Sequence, residues 1–189
     1  VALQEAVRLW GVSLTDRSLN SLARELGSDV PFFLDPRTSL GQGRGERISP
    51  LPPAPPFWAV LINPGFEIST RRAYQRLGTA SGERRPDAGP DKILKVLEAS
   101  DLPALCSSLY NVFQEVLVPE FPPLAEILEF FGKNEALGAV LAGSGPTVIG
   151  LTESEPRAQK LAGRARTVFP SEYRIEVCSN RLRSRRSPE

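Results

Sequence analysis

Leu26-Gly27-Ser28-Asp29-Val30-Pro31-Phe32-Phe33-Leu34 joins the end of one helical pattern to a dense apolar segment. The pattern before it stops at Gly27, the residue that best tolerates the left-handed conformation after a helix end. Ser28 and Asp29 are both good caps for a new turn. Val30, Pro31, Phe32, Phe33 and Leu34 form an apolar plug that must bury itself. One carboxylate is therefore expected between a helix terminus and packed apolar chain. Such a position orients a side chain and can tune its pKa, as a general base requires. On spacing alone the plainer reading is that Asp29 caps the turn.

Upstream of this stretch, Val1 to Trp10 is predicted to be helical and closed by Gly11. Thr15 or Asp16 caps the next helix, whose apolar face is Leu19, Leu22, Ala23 and Leu26, at i, i+3, i+4 and i+7. No capping residue precedes the first helix, and the chain contains no methionine. A helix entered in its middle makes the chain, on expectation, a cut through a longer protein. Downstream, Thr38-Ser39-Leu40 and Glu46-Arg47-Ile48 are predicted strands around Gly41-Gln42-Gly43-Arg44-Gly45. No helical pattern follows these glycines, so a hairpin or bulge fits better than a phosphate loop. Pro50-Leu51-Pro52-Pro53-Ala54-Pro55-Pro56 is a stiff connector and the expected lobe boundary.

The bulk composition narrows the function. With 189 residues, 41% of them hydrophobic, the chain can build one sizeable core or two small lobes. A net charge of +1 gives no general argument for nucleic acid or an anionic membrane. No apolar run has the length of a membrane span, and Glu5 and Arg8 interrupt the opening apolar residues in a way that does not suit a signal peptide. There is no histidine, which excludes a Ser-His-Asp triad, a Cys-His pair and any His-ligated zinc within these residues. The two cysteines, Cys106 and Cys178, fall in different predicted elements, so a reducing cytoplasm is expected.

Beyond the connector, Phe57 to Ile62 is a continuous apolar run and a predicted buried strand, and Asn63-Pro64-Gly65 turns the chain. Ser69 or Thr70 caps a helix with Thr70, Ala73, Tyr74 and Leu77 facing inward. Gly78 to Pro90 is predicted to be a polar surface loop. Helices are predicted over Asp91–Ala99, Pro103–Leu117 and Pro123–Phe131, the last ended by Gly132. Strands are predicted at Leu137–Leu141 and Thr147–Leu151. Ser154 caps a helix whose apolar face is Ala158, Leu161, Ala162, Ala165 and Val168, and Tyr173–Cys178 is a last strand. Arg181 to Glu189 carries four arginines and is expected to fray. Strands and helices mix without strict alternation, which fits an antiparallel sheet covered by helices on one face, the α+β class.

Gly143-Ser144-Gly145-Pro146-Thr147 lies between two of these strands. No lysine follows the second glycine and no helix begins there, so it is not a P-loop. A tight turn with glycines at positive φ is one reading. A bare backbone that lets a phosphate or another loop come close is the other.

Taken together, Leu26-Gly27-Ser28-Asp29-Val30-Pro31-Phe32-Phe33 and Leu141-Ala142-Gly143-Ser144-Gly145-Pro146-Thr147-Val148 resemble the GHMP small-molecule kinases. Gly41-x-Gly-x-Gly-Glu46 with Pro50-Leu51 is similar to that family's hairpin after the aspartate. Asn63-Pro64-Gly65 with Ile68-Ser69-Thr70 and Ala73-Tyr74 is similar to its entry to the second lobe. Asn111-Val112-Phe113-Gln114 resembles its Asn-Asp-Phe-Glu helix, with departures at Val112 and Gln114. The family's lysine motif and Gly-Leu-Gly-Gly-Gly-Ser-Ser loop are not among these residues, so the resemblance implies the C-terminal part of a longer enzyme, inactive by itself.

The resemblance further implies a two-lobed α+β fold. Residues 1–51 would belong to the ATP-binding domain, 57–180 to the C-terminal domain and 181–189 to a disordered basic tail. It implies phosphorylation, with ATP and Mg2+, of a hydroxyl on a small molecule carrying a cytidine diphosphate group in the non-mevalonate isoprenoid route. No nucleic acid and no membrane would take part. Asp29 matches the catalytic carboxylate. Gly143, Ser144, Gly145 and Thr147 match the motif beside the phosphates, either in contact or as support for the glycine-rich loop. Thr70 and Tyr74 match positions near the cytidine end, where Tyr74 either stacks on the base or belongs to the core. The alternatives are another GHMP kinase acting on a different alcohol, or a non-catalytic α+β module whose arginine-rich tail contacts RNA or protein.

Overall fold

A computed structural model of the chain describes residues 2–27, 29–43, 45, 47–79 and 90–180. They fall into two compact units, one ending at Ala54 and one starting at Pro55. The expectations for Ser28, Arg44, Glu46, the loop 80–89 and the tail 181–189 lie outside the described residues.

The first unit holds α1 (Ala2–Leu9), α2 (Asp16–Leu26), a 3₁₀ turn (Val30–Leu34) and the antiparallel pair β1 (Ser39–Gln42) and β2 (Arg47–Pro50). Thr15 caps α2, its Oγ1 accepting the Ser18 N–H at 3.2 Å. Gln4 Nε2 donates to the Leu34 carbonyl at 2.9 Å and ties α1 to the 3₁₀ turn. Gly43 and Gly45 stand at φ 72° and 107°, so the hairpin turn needs residues without a Cβ.

Three expectations for this unit do not hold. Gly27 is extended, at φ 162°, rather than left-handed; its N–H still closes α2 on the Ala23 carbonyl at 3.2 Å. Of the predicted α2 face only Ala23 is buried, while Leu22 and Leu26 are exposed. Of the apolar plug only Pro31 is buried, and Phe33 is 51% exposed. A 3₁₀ turn has three residues per turn, so five consecutive apolar side chains fan out in three directions and cannot all face one core.

The second unit is built on β3 (Trp58–Asn63), the apolar run after the connector. It pairs antiparallel with β5 (Val148–Thr152) on one side and β6 (Arg174–Ser179) on the other; β4 (Gly138–Leu141) adds to β5, giving the order β4-β5-β3-β6. Successive side chains of a strand point to opposite faces. Val60 and Ile62 thus enter the main core with Leu124, Ile127 and Phe131 of α7 (Pro122–Lys133) and Ala158, Leu161, Ala162 and Ala165 of α8 (Glu155–Val168). Ala59 and Leu151 face the other way, against Leu102 and Cys106 of α5 (Leu102–Ser107). The antiparallel α+β architecture is the one expected, but α5 covers part of the second face as well. Asn180 closes the sheet's entry. Its Oδ1 accepts the Phe57 N–H at 3.0 Å and its Nδ2 donates to the Pro55 carbonyl at 2.9 Å.

The remaining helices are α3 (Thr70–Thr79), α4 (Pro90–Glu98) and α6 (Phe113–Leu117). The single helix predicted over Pro103–Leu117 is thus two, α5 and α6, broken where Asn111 turns its side chain onto other backbone. Gly132 does not end α7; the helix runs on to Lys133, and Glu135 takes the left-handed position at φ 64°. Ser154 sits at the N-cap of α8 without accepting an N–H, and Val168 is exposed because the next residue, Phe169, takes the buried position. Among the described residues no helix is long and apolar enough to cross a membrane.

Candidate functional site

The turn between β4 and β5 is closed by two backbone bonds, Ala142 N–H to the Thr147 carbonyl at 2.8 Å and Gly145 N–H to the Ala142 carbonyl at 2.9 Å. Gly143 and Gly145 stand at φ 53° and 80°, and the Gly145–Pro146 peptide is cis. A Cβ on Gly145 would sit 3.2 Å from Ile68 Cδ1 and 3.3 Å from Leu141 Cδ1, so glycine serves both the conformation and the fit there. At Gly143 a Cβ would meet nothing within 4 Å, which leaves bare backbone facing open space.

Three other segments converge on this turn. Asn63, at the end of β3, donates from Nδ2 to Thr147 Oγ1 at 2.8 Å, and its Oδ1 accepts the Gly65 N–H at 2.9 Å. Thr70, the first residue of α3, places Oγ1 3.0 Å from Ser144 Oγ. Asn111 donates from Nδ2 to the Leu141 and Gly143 carbonyls, both at 2.7 Å, and Gln114 Oε1 accepts the Leu141 N–H at 2.7 Å.

One turn along α3, Tyr74 is 62% exposed and rests edge-on against Phe113, with ring centroids 5.1 Å apart. Its sequence alternative, a core position, is therefore not what is observed: Ala73 takes the buried place. The outer face of α3 is tied down by Glu120, which pairs with both Arg72 and Arg76. The Arg72 guanidinium also lies over the Phe121 ring, 5.6 Å from its centroid, and Phe121 stacks on Phe66.

Asp29 belongs to the first unit. It is exposed, helical in conformation at φ −90° and ψ −13°, and occupies the N-cap position of the 3₁₀ turn without accepting any N–H. The simple cap reading is thereby overturned: the Asp29 side chain makes no cap hydrogen bond, and Pro31, in the first turn, has no N–H to offer. The carboxylate instead lines a depression of about 320 Å³ with Phe32, Phe33, Ser39, Gly41, Gly45 and Ile48. Among the described residues it has no ion-pair partner.

Neither cysteine is disposed to act as a nucleophile. Burial pushes the Cys106 thiol up to about 11 and raises that of Cys178 as well, so both are protonated at neutral pH. Among the described residues no group of three or more carboxylates and thiols is placed to hold a metal.

Of the residues singled out from sequence, Thr70, Tyr74, Gly143, Ser144, Gly145 and Thr147 meet in one region of the second unit, and Asp29 lies in the first. Asn63, Asn111 and Gln114 were not singled out as site residues. The signal available was Asn111 inside an apolar helical pattern, where asparagine competes for backbone groups and breaks the helix.

Residues 93–171 match the family model described as GHMP kinases C terminal. The chain is 40% identical over 153 residues to the 4-diphosphocytidyl-2-C-methyl-D-erythritol kinase of Exiguobacterium sibiricum, covering 81% of this chain and 52% of that protein. It is 40% identical over 160 residues to the enzyme of the same name from Symbiobacterium thermophilum, covering 84% of this chain and 56% of that one. A solved 4-(cytidine 5'-diphospho)-2C-methyl-D-erythritol kinase superposes with a TM-score of 0.70 at 30% identity, over 93% of this chain and 62% of that one. The chain thus spans about half the length of the curated relatives it matches. Its antiparallel unit, its glycine turn and these likenesses agree, and the chain belongs to the GHMP kinase family.

Proposed function

We propose that the protein carrying this chain transfers the γ-phosphoryl group of ATP to a hydroxyl of 4-diphosphocytidyl-2-C-methyl-D-erythritol, in the cytoplasm and on the non-mevalonate route to isoprenoid precursors. In this reading residues 1–51 belong to the ATP-binding domain and 57–180 to the C-terminal domain. The names of the relatives support the substrate, and the arrangement around the glycine turn supports the chemistry.

The observation that carries the reading is the contact of Thr70 Oγ1 with Ser144 Oγ at 3.0 Å, with Tyr74 exposed one turn further along the same helix face. A ligand with phosphates at the turn and a base at its other end meets both. Gly143, Ser144, Gly145 and Thr147 stand beside the phosphates, where the open space at Gly143 admits an anionic group to the backbone. Thr70 and Tyr74 hold the cytidine end, and the exposed face of Tyr74 is free to stack on the cytosine.

Asp29 accepts the proton of the attacking hydroxyl, or holds that hydroxyl in line. As the new O–P bond forms, the bond from the γ-phosphorus to the β-phosphate oxygen breaks and ADP leaves. Mg2+, when bound, neutralises phosphate charge. It would be held chiefly by the phosphates themselves, which leaves the exposed Asp29 carboxylate for the hydroxyl.

The test is to supply the protein carrying this chain with ATP, Mg2+ and 4-diphosphocytidyl-2-C-methyl-D-erythritol and to follow ADP release and phosphomonoester formation by phosphorus NMR. Substrate-dependent formation of both is expected. Turnover of a different small alcohol but not this one moves the reading to another GHMP kinase activity, and no phosphorylated product with any alcohol overturns it.

A further inference from the structure

β4 is an edge strand, so its outer N–H and C=O groups lack a strand partner. The segment between α5 and α6 supplies substitutes. Asn111 Nδ2 bridges the Leu141 and Gly143 carbonyls, and Gln114 Oε1 takes the Leu141 N–H. The orientation of both amides is fixed by their partners. Asn111 Oδ1 accepts the Phe113 N–H at 2.9 Å, so its NH₂ must face the two carbonyls; Gln114 presents its oxygen because it meets an N–H. Both polar groups of Leu141 and the carbonyl of Gly143 are thus held from one short segment. The helix break that defeats the sequence periodicity is what puts two side-chain amides over the strand end.

We infer that Asn111 and Gln114 are positioning residues for the glycine turn: they hold Gly143, Ser144 and Gly145 in the shape that receives the phosphates. This rests on the kinase reading above. A turn with two glycines at positive φ has many alternative shapes when unrestrained, and three side-chain bonds of 2.7 Å select one of them. Gln114 stands where the resembling motif has glutamate. Both side chains offer the acceptor that the Leu141 N–H needs, so this departure keeps the contact.

The experiment compares Asn111→Asp, Gln114→Leu and Gln114→Glu in the protein carrying this chain, by amide hydrogen exchange and by kinase kinetics. Aspartate keeps the shape of Asn111 but has no N–H for the two carbonyls. Leucine removes the acceptor at 114, and glutamate keeps it. Expected for Asn111→Asp and Gln114→Leu is loss of protection confined to residues 141–145. With it comes a fall in kcat on the order of 10²-fold, the scale of a slightly misplaced reacting group. The KM for ATP should change far less, and Gln114→Glu should restore both protection and kcat. Loss of protection that extends equally through β3 and β5 overturns the inference in favour of a general fold role. Local loss of protection with unchanged kcat overturns it as well. A wild-type protein with no kinase activity shows instead that the functional reading has failed, a result distinct from either.

Discussion

The hydroxyls of Thr70 and Ser144 lie 3.0 Å apart across 74 residues of sequence, joining the first turn of α3 to the glycine turn. The bond brings the residue expected at the cytidine end next to one expected at the phosphates. Both belong to the same unit, so the sheet and α3 fix their separation without help from a ligand.

Thr70→Val and Ser144→Ala each remove one hydroxyl with little change of volume. Both groups are at the surface, so their coupling in a double-mutant cycle of stability should be small, about 0.5 kcal/mol. Their effect on kcat/KM for the cytidine substrate should be larger than their effect on stability. Variants whose kcat/KM matches wild type would make the pair a surface hydrogen bond only.

Asp29→Asn and Asp29→Ala should behave alike in stability, because Asp29 caps nothing that either change would lose. Each should stay within about 0.5 kcal/mol of wild type, the usual range for surface positions without a structural role. Both should lower kcat on the order of 10²–10⁴-fold, since neither replacement can take a proton. Thermal melting and steady-state kinetics on the protein carrying this chain check the two halves. An alanine variant that melts well below the asparagine variant would restore the cap role that the geometry denies.

Much of the fold was legible because local signals and tertiary packing agree in the second unit. The apolar run Phe57–Ile62 became the central strand β3, and the spacing of Ala158, Leu161, Ala162 and Ala165 became the buried face of α8. Where side-chain chemistry outweighed periodicity, the sequence misled. Leu105, Leu109, Val112, Phe113 and Val116 continue a helical pattern, yet Asn111 spends its amide on the Leu141 and Gly143 carbonyls and splits the helix. Such a partner is thirty residues away in sequence, and no local pattern reveals it. The first unit was less legible for another reason. The apolar sides of Leu22, Leu26 and Phe33 predict burial, and nothing within the described residues of that unit provides it. The candidate residues Thr70, Ser144 and Thr147 came from resemblance, and the Thr70–Ser144 and Asn63–Thr147 hydrogen bonds required the structure.

Cys106 gives a pH dependence of definite sign. Burial raises its folded-state pKa to about 11 from an ordinary value of 9.0. Between those values the unfolded chain loses the proton and the folded chain keeps it, so stability falls as pH rises through that window. Below about pH 9 the thiol contributes no slope. Cys106→Ala should lower stability at pH 7 and flatten the curve between pH 9 and 11, as read by urea denaturation at a series of pH values. A variant with the full wild-type alkaline slope would assign that slope to other groups.

Gly150 in β5 faces Phe131 of α7 so closely that a Cβ there would lie 2.3 Å from the ring's Cδ1 and 2.4 Å from its Cε1. Phe131 is fully buried among the side chains of α7, α8 and the sheet, so the ring cannot swing clear. Gly150→Ala must therefore displace either the ring or the strand. The penalty should be at least that of ordinary overpacking, about 1–3 kcal/mol. Phe131→Leu alone should destabilise by leaving space in the core. In the double variant the added methyl enters that space, so the double should be more stable than the sum of the two single effects predicts. Urea denaturation of the four proteins measures the coupling. The consequence extends to the candidate site, because β5 begins at Val148, next to Thr147 and the glycine turn. Gly150→Ala should thus also loosen the Asn63–Thr147 contact, read as faster exchange of the Ala142 N–H that Thr147 accepts. Strict additivity of the single variants would mean that the strand, rather than the ring, yields to the new methyl.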